Sequence, residues 1–295
     1  MGLDETAKLK LMRSAVDHAL GLQPDNPLAL AVRGKIQIQD FELEAGIETL
    51  RALTTNYPSF VEGQYSYAMA LVQMGRSDEA LVTLRRVLAL DPLNLTRKRV
   101  YAQQLMYSGR FEESFRVMDD VISLGGNAEE LMPFFSFQLI ANRNGNWQAI
   151  AEEQERFLES IAGAGKVDSD LAQYLPKLSA YLESGDPSAL QADLVRLNWI
   201  GPTERDFALY FLWTDEHIDL VISALFEVIA DRSLLSTARN WFLQPAFNMP
   251  ESVRNHPGYA ALWESPQMKR FARVRIANGA LQGIPQVVID EVQAQ

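Results

Sequence analysis

The residues able to do chemistry are few and scattered. There are three histidines, His18, His217 and His256. Neither His18 nor His217 has a second histidine or a carboxylate at a zinc-ligand spacing. The acidic pair Asp215-Glu216 ahead of His217 suits the positive end of a helix, and His256 before Pro257 suits a turn or cap. The run Gly163-Ala164-Gly165-Lys166 has part of a phosphate-cradling loop. That motif needs a glycine five residues before its Gly-Lys pair and a Ser or Thr after it, and here those positions hold Ser160 and Val167. Carboxylates such as Glu152, Glu153 and Glu155 form the wet face of a helix. No serine lies in a nucleophile elbow. Without cysteine, thiolate catalysis, disulfides and cysteine metal sites are excluded. The sequence therefore predicts a protein that is not an enzyme and has no cofactor or metal centre.

The elements that would carry these residues are helices in pairs. Across residues 61–94, Tyr67, Ala68, Leu71 and Val72 share one helix face, Gly75 caps that helix, and Ser77 or Asp78 caps the next. Ala80, Leu81, Leu84, Val87 and Leu88 continue as a second amphipathic helix, which Asp91-Pro92 stops. The pattern recurs every 34 residues: Pro24, Pro58 and Pro92; Gly34, Ala68 and Ala102; Gly46, Ala80 and Ser114; Gly75 and Gly109, each followed by arginine. Full units read as 27–60, 61–94 and 95–128. A fourth, 131–162, slips by two residues at Gly125-Gly126-Asn127. Residues 4–22 form a single helix with Leu9, Met12, Val16, Ala19 and Leu20 on one face, either capping the array or continuing it. The unit 161–170 reads as a loop between the regular array, 1–162, and an irregular helical region, 163–295. Within that region helices are predicted near 170–184, 187–197, 203–214, 216–231 and 233–243, before an irregular tail at 243–295.

The period and its columns resemble the tetratricopeptide repeat. The resemblance implies an all-α fold, a right-handed superhelical solenoid of stacked helix pairs whose C-terminal half is irregular. Gln64, where the family often has an aromatic, and Asp40-Phe41, where it has the turn glycine, depart from the pattern. First helices line the concave groove in that family. By this resemblance the partner-binding positions here are Lys35, Ile38, Tyr65, Met69, Val72, Arg99, Gln103, Met106, Tyr107, Phe135, Leu139 and Asn142, with Leu28, Ala31 and Glu62 beside them. The clamp by which some members hold a chaperone's terminal carboxylate is absent, since its positions hold Ala31, Lys35, Ser66, Thr96 and Val100. The tail resembles the end of bacterial arrays joined to winged-helix activators or nucleotide cyclases, through Arg254, His256-Pro257, Tyr259, Leu262-Trp263 and Gly283-Ile284-Pro285.

Composition narrows the function further. With 27 basic against 38 acidic residues, the net charge of −11 disfavours nucleic-acid backbones as the partner. No apolar run is long enough for a membrane span, and the first residues lack the apolar centre of a signal peptide, so a cytoplasmic protein is expected. The expected function is a scaffold that binds a peptide or partner domain in its groove, in a bacterial regulatory system. The other reading is a small-molecule sensor, with Trp199, Phe207, Tyr210, Phe211, Trp213, Trp241 and Phe242 walling a pocket. The alternative to an open groove is that the irregular C-terminal helices fold back and cover some of it, and the apolar face of 4–22 offers a route to a homo-oligomer.

Overall fold

The structure is a computed structural model that describes residues 5–142, 145–163, 174–184, 186, 218–219, 222–223, 243, 245–246 and 249–294. The helices predicted at 187–197, 203–214 and 233–243, most of 216–231, and the aromatic cluster from Trp199 to Phe242 lie outside the described residues.

Among the described residues the secondary structure is helical, with no strand. Helix α1 (Glu5–Leu22) precedes three pairs: α2 (Pro27–Gln39) with α3 (Leu43–Asn56), α4 (Val61–Gln73) with α5 (Ser77–Leu90), and α6 (Leu95–Tyr107) with α7 (Phe111–Ser123). First helices thus begin at 27, 61 and 95 and second helices at 43, 77 and 111, all in the 34-residue frame. A short 3-10 turn (Ala128–Leu131) takes up the slip. The fourth pair, α8 (Met132–Ala141) and α9 (Trp147–Gly163), follows two residues late at its second helix. Each pair packs face to face, and α3 meets α4 as α5 meets α6. Helix α10 (Tyr174–Ser184) packs on α9. The tail holds α11 (Glu251–Arg254), α12 (Pro257–Ala261), α13 (Pro266–Ala277) and α14 (Gln286–Gln293).

The small-residue columns are where helices of one pair touch. A Cβ on Gly34 would stand 2.5 Å from Leu50 Cγ, and one on Gly46 would stand 2.7 Å from Ile38 Cδ1. Ala68, Ala80 and Ala102 are completely buried, and the Ser114 hydroxyl donates to Ala102 O at 2.8 Å. Nothing larger would leave the pairs in contact.

The turn inside each pair repeats one hydrogen-bond pattern. Arg76 N donates to Leu71 O, Arg110 N to Leu105 O and Glu42 N to Gln37 O, closing the ends of α4, α6 and α2. The residue before each of these donors has a left-handed backbone: Gly75 at φ 78°, Gly109 at φ 77° and Phe41 at φ 61°. Phe41 therefore takes the glycine conformation that its side chain disfavours. Burial of its ring, 6% exposed, offsets the strain. The expected caps at Ser77 or Asp78 are not formed. Helix α5 starts one residue earlier, its N-cap is Arg76 with no side-chain cap, and Arg76 instead grips Glu79 through two bonds of 2.6 Å. Arg110 and Glu113 repeat this at the start of α7, at 2.7 and 2.6 Å.

Helix α1 is only half used. Val16 is buried, but Met12 is 43% exposed and Leu11 57%. An ion pair from Arg13 to Asp40, at 2.5 Å, ties it to the first turn.

The tail folds onto the array. One apolar core runs from Ala31, Ile38 and Met74 through Met106 and Phe135 to Tyr259, Trp263, Met268, Phe271 and Ile289. Helix α13 lies against the turn edge. The Arg275 guanidinium, 1% exposed, donates to Gln73 O at 3.0 Å and to Leu243 O at 2.6 Å. Asn278 Nδ2 donates to Met74 O at 3.1 Å, and Arg270 pairs with Glu44 at 2.5 Å. Arg275 thus supplies positive charge and donors at the negative end of α4. The tail residues singled out in the sequence converge: Tyr259 donates from its hydroxyl to Gly283 O, and His256 Nδ1 accepts from Gly258 N at 3.1 Å as a helix cap.

Candidate functional site

The first helices α2, α4 and α6 present one wall, and the twelve predicted binding positions divide along it. Lys35 is exposed, and Tyr65, Met69, Arg99, Gln103 and Asn142 are half-buried. The other six are buried: Ile38, Val72, Met106, Tyr107, Phe135 and Leu139, none more than 4% exposed. They are core positions, not contact positions, in this structure.

The reason lies at the turn end of the helices. Ile38, Val72 and Met106 are one column, 34 residues apart, in the last turn of α2, α4 and α6. Ile38 and Met106 share the core with Met268 and Phe271 of α13, and Val72 packs with Leu71 and Ala80. Ala246 N donates to Tyr107 O at 2.9 Å, bringing the segment before the tail onto the end of α6. Phe135 faces the second helices instead of the wall, with its ring 5.2 Å from that of Phe115 and 6.1 Å from that of Phe157. Leu139 and Phe135 are both fully buried in α8.

The open half of the wall is polar and charged. Lys35 Nζ meets Glu62 at 2.8 Å, and the other oxygen of Glu62 lies 3.5 Å from Arg97. Arg97 in turn meets Asp91 at 3.1 Å and stands over the Tyr65 ring, 5.8 Å from its centroid. A chain of charge therefore crosses α2, α4 and α6. Burial, and the Glu62 carboxylate beside it, push the Tyr65 phenol above its usual range. Arg99 pairs with Glu130 at 2.9 Å, and Gln103 Nε2 donates to Tyr107 Oη at 3.1 Å. Glu62 was read as a wall residue from its register. Arg97 was not, because its partners come from two other segments and leave no trace in the local pattern.

Among the described residues no group of three or more His, Asp or Glu side chains could hold a metal ion, and no helix is long and apolar enough to cross a membrane. No protein-family model matches the chain, and no curated protein matches it.

Proposed function

We infer that the chain is a right-handed solenoid of the tetratricopeptide kind and that it serves as a non-enzymatic scaffold. Its partner, a peptide or protein domain, meets the open half of the wall formed by α2, α4 and α6. One observation carries this reading. Three successive first helices present Lys35, Glu62, Tyr65, Met69, Arg97 and Gln103 side by side, partly open, and tied across the helices by ion pairs. A wall that mixes Tyr, Met and Arg with paired charges has the residue types enriched where proteins meet. The buried turn-end column confines the contact to the other end of the helices, so the surface is narrower than a whole groove. The resemblance of the tail to the ends of bacterial regulatory arrays supports a regulatory setting.

The test compares capture from a bacterial lysate by the wild type and by a Tyr65→Ala/Met69→Ala/Gln103→Ala variant. All three side chains are half-open, so the variant should keep the wild-type circular dichroism. Loss of specific partners by the variant is expected. An unchanged set of partners would remove the wall from consideration.

A further inference from the structure

The exposed face of α5 differs from those of the second helices before and after it. From Ala80 to Leu90 the helix has no carboxylate, whereas the equivalent stretches hold Glu48 in α3 and Asp119 and Asp120 in α7. Val82, Arg86 and Leu90 follow one another at four-residue spacing, so they share one face, and Arg85 flanks them. All four are exposed, Val82 by 58% and Leu90 by 40%. Leu93, in the turn that closes the unit, is 75% exposed. Single apolar side chains on a surface are ordinary. A row of them along one helix, with two arginines set in it, has the make-up of a contact surface.

The arginines set the sign of what that surface meets. Carboxylates on the adjoining turns and helices are already held by other cations: Glu79 by Arg76 at 2.6 Å, Glu113 by Arg110 at 2.6 Å, Asp91 by Arg97 at 3.1 Å, and Asp120 by Lys98. Asp78 lies in the first turn of α5, two turns away from Arg85. Arg85 adds to the pull on the Glu113 carboxylate. Among the described residues neither Arg85 nor Arg86 is in an ion pair. On a chain of net charge −11 this leaves a local excess of positive charge. The excess is one helix wide, since α3 exposes Glu44 and Glu48, and α7 exposes Glu112 and Asp120. A flat anionic membrane would meet those carboxylates and be repelled. A single segment laid along α5 would not.

We propose that the exposed face of α5 binds an acidic amphipathic helix of another protein. Aliphatic side chains of that helix lie on Val82, Leu90 and Leu93, and its carboxylates pair with Arg85 and Arg86. A row at four-residue spacing is the ridge against which a second helix packs. The surface belongs to a second helix, so it is separate from the wall of first helices. Apolar contact supplies most of the binding, because exposed ion pairs contribute little. The arginines choose the sign, since a like charge set opposite them is repelled. A second copy of the chain suits the face less well, because it brings a net negative charge against another.

The probes are three labelled helix-forming peptides of leucine and alanine whose polar face is glutamate, glutamine or lysine, followed by fluorescence anisotropy as the full chain is titrated in. The glutamate peptide should bind saturably. The glutamine peptide should bind about tenfold more weakly, as loss of two exposed ion pairs allows, and the lysine peptide should not bind. Both arginines are exposed, so an Arg85→Glu/Arg86→Glu variant should keep the wild-type circular dichroism. It should exchange the preference, binding the lysine peptide and rejecting the glutamate one. A Val82→Ser/Leu93→Ser variant should weaken the glutamate peptide by about tenfold. Failure of the glutamate peptide to saturate in the micromolar range overturns the proposal. So does equal binding of the lysine peptide, or a charge-reversed variant that still prefers glutamate. Capture by phosphatidylserine vesicles, or self-association in sedimentation, would overturn it too if lost in the charge-reversed variant while the glutamate peptide does not bind.

Discussion

Two glycines in equivalent turns differ in one respect, and the difference measures how firmly the tail is seated. Gly75 and Gly109 have the same backbone, φ 78° and 77°. A methyl at Gly109 would come no closer than 3.8 Å to Ala246 Cβ, whereas one at Gly75 would drive into Ala280 Cβ beside the buried Arg275. Gly109→Ala should therefore cost only the left-handed strain, about 1–2 kcal/mol. Gly75→Ala carries that strain plus overpacking of about 1–3 kcal/mol, for a total of about 2–5 kcal/mol. Ala280→Gly alone should cost about 1 kcal/mol. In the Gly75→Ala background it should instead recover the overpacking, a coupling of about 1–3 kcal/mol in the double-mutant cycle. Urea unfolding followed by circular dichroism gives all four free energies from the midpoints. Equal losses at Gly75 and Gly109, with additive behaviour toward Ala280→Gly, would refute the placement of the tail on the α4–α5 turn.

Arg275→Met should lower stability by about 2 kcal/mol, because Gln73 O and Leu243 O lose a buried donor. Burial lowers this guanidinium to about 10, so its desolvation cost is present at every pH below that and eases only above it. The difference between wild type and variant should accordingly stay constant through neutral pH in parallel melts. Tyr259→Phe removes the donor to Gly283 O and should cost about 1–3 kcal/mol in urea unfolding. Burial raises the phenol well above its usual range, so absorbance titration of the native protein should leave one tyrosine unionised. Hydrogen bonding from Arg110 holds the Glu113 carboxyl below 4.5. Its stabilisation is present above that pH and is lost as the pH falls through the lowered value. Glu113→Gln should therefore melt below wild type at neutral pH, and the gap should close as the pH falls through the lowered value.

Much of the helix pairing was legible in the residues themselves. Pro58, Gly75 and Pro92 punctuate the chain through local backbone sterics, and Gly34, Ala68, Gly46 and Ala80 mark where paired helices touch. These features act over distances shorter than one unit, so their spacing alone places α2 to α7 within a residue or two. The departure at Asp40-Phe41 shows the boundary of that logic. The position keeps its left-handed backbone without glycine because the core receives the ring.

Other features rest on contacts that no local pattern carries. Asn278 reaches Met74 across 204 residues and Arg275 reaches Gln73 across 202, and a period of 34 contains no trace of either. The tail's seat shares the core that holds Ile38, Met106 and Tyr107, so three of the twelve expected wall positions lie in one interior with it. Phe135 shows the same limit within the array. Its register, with the slip at Gly125-Gly126-Asn127 counted in, suggested the wall, but its ring met Phe115 and Phe157 instead. Periodicity determines which residues share a helix face. Which faces stay open depends on what the rest of the chain lays against them, and that is settled only when distant segments compete to bury their apolar surface.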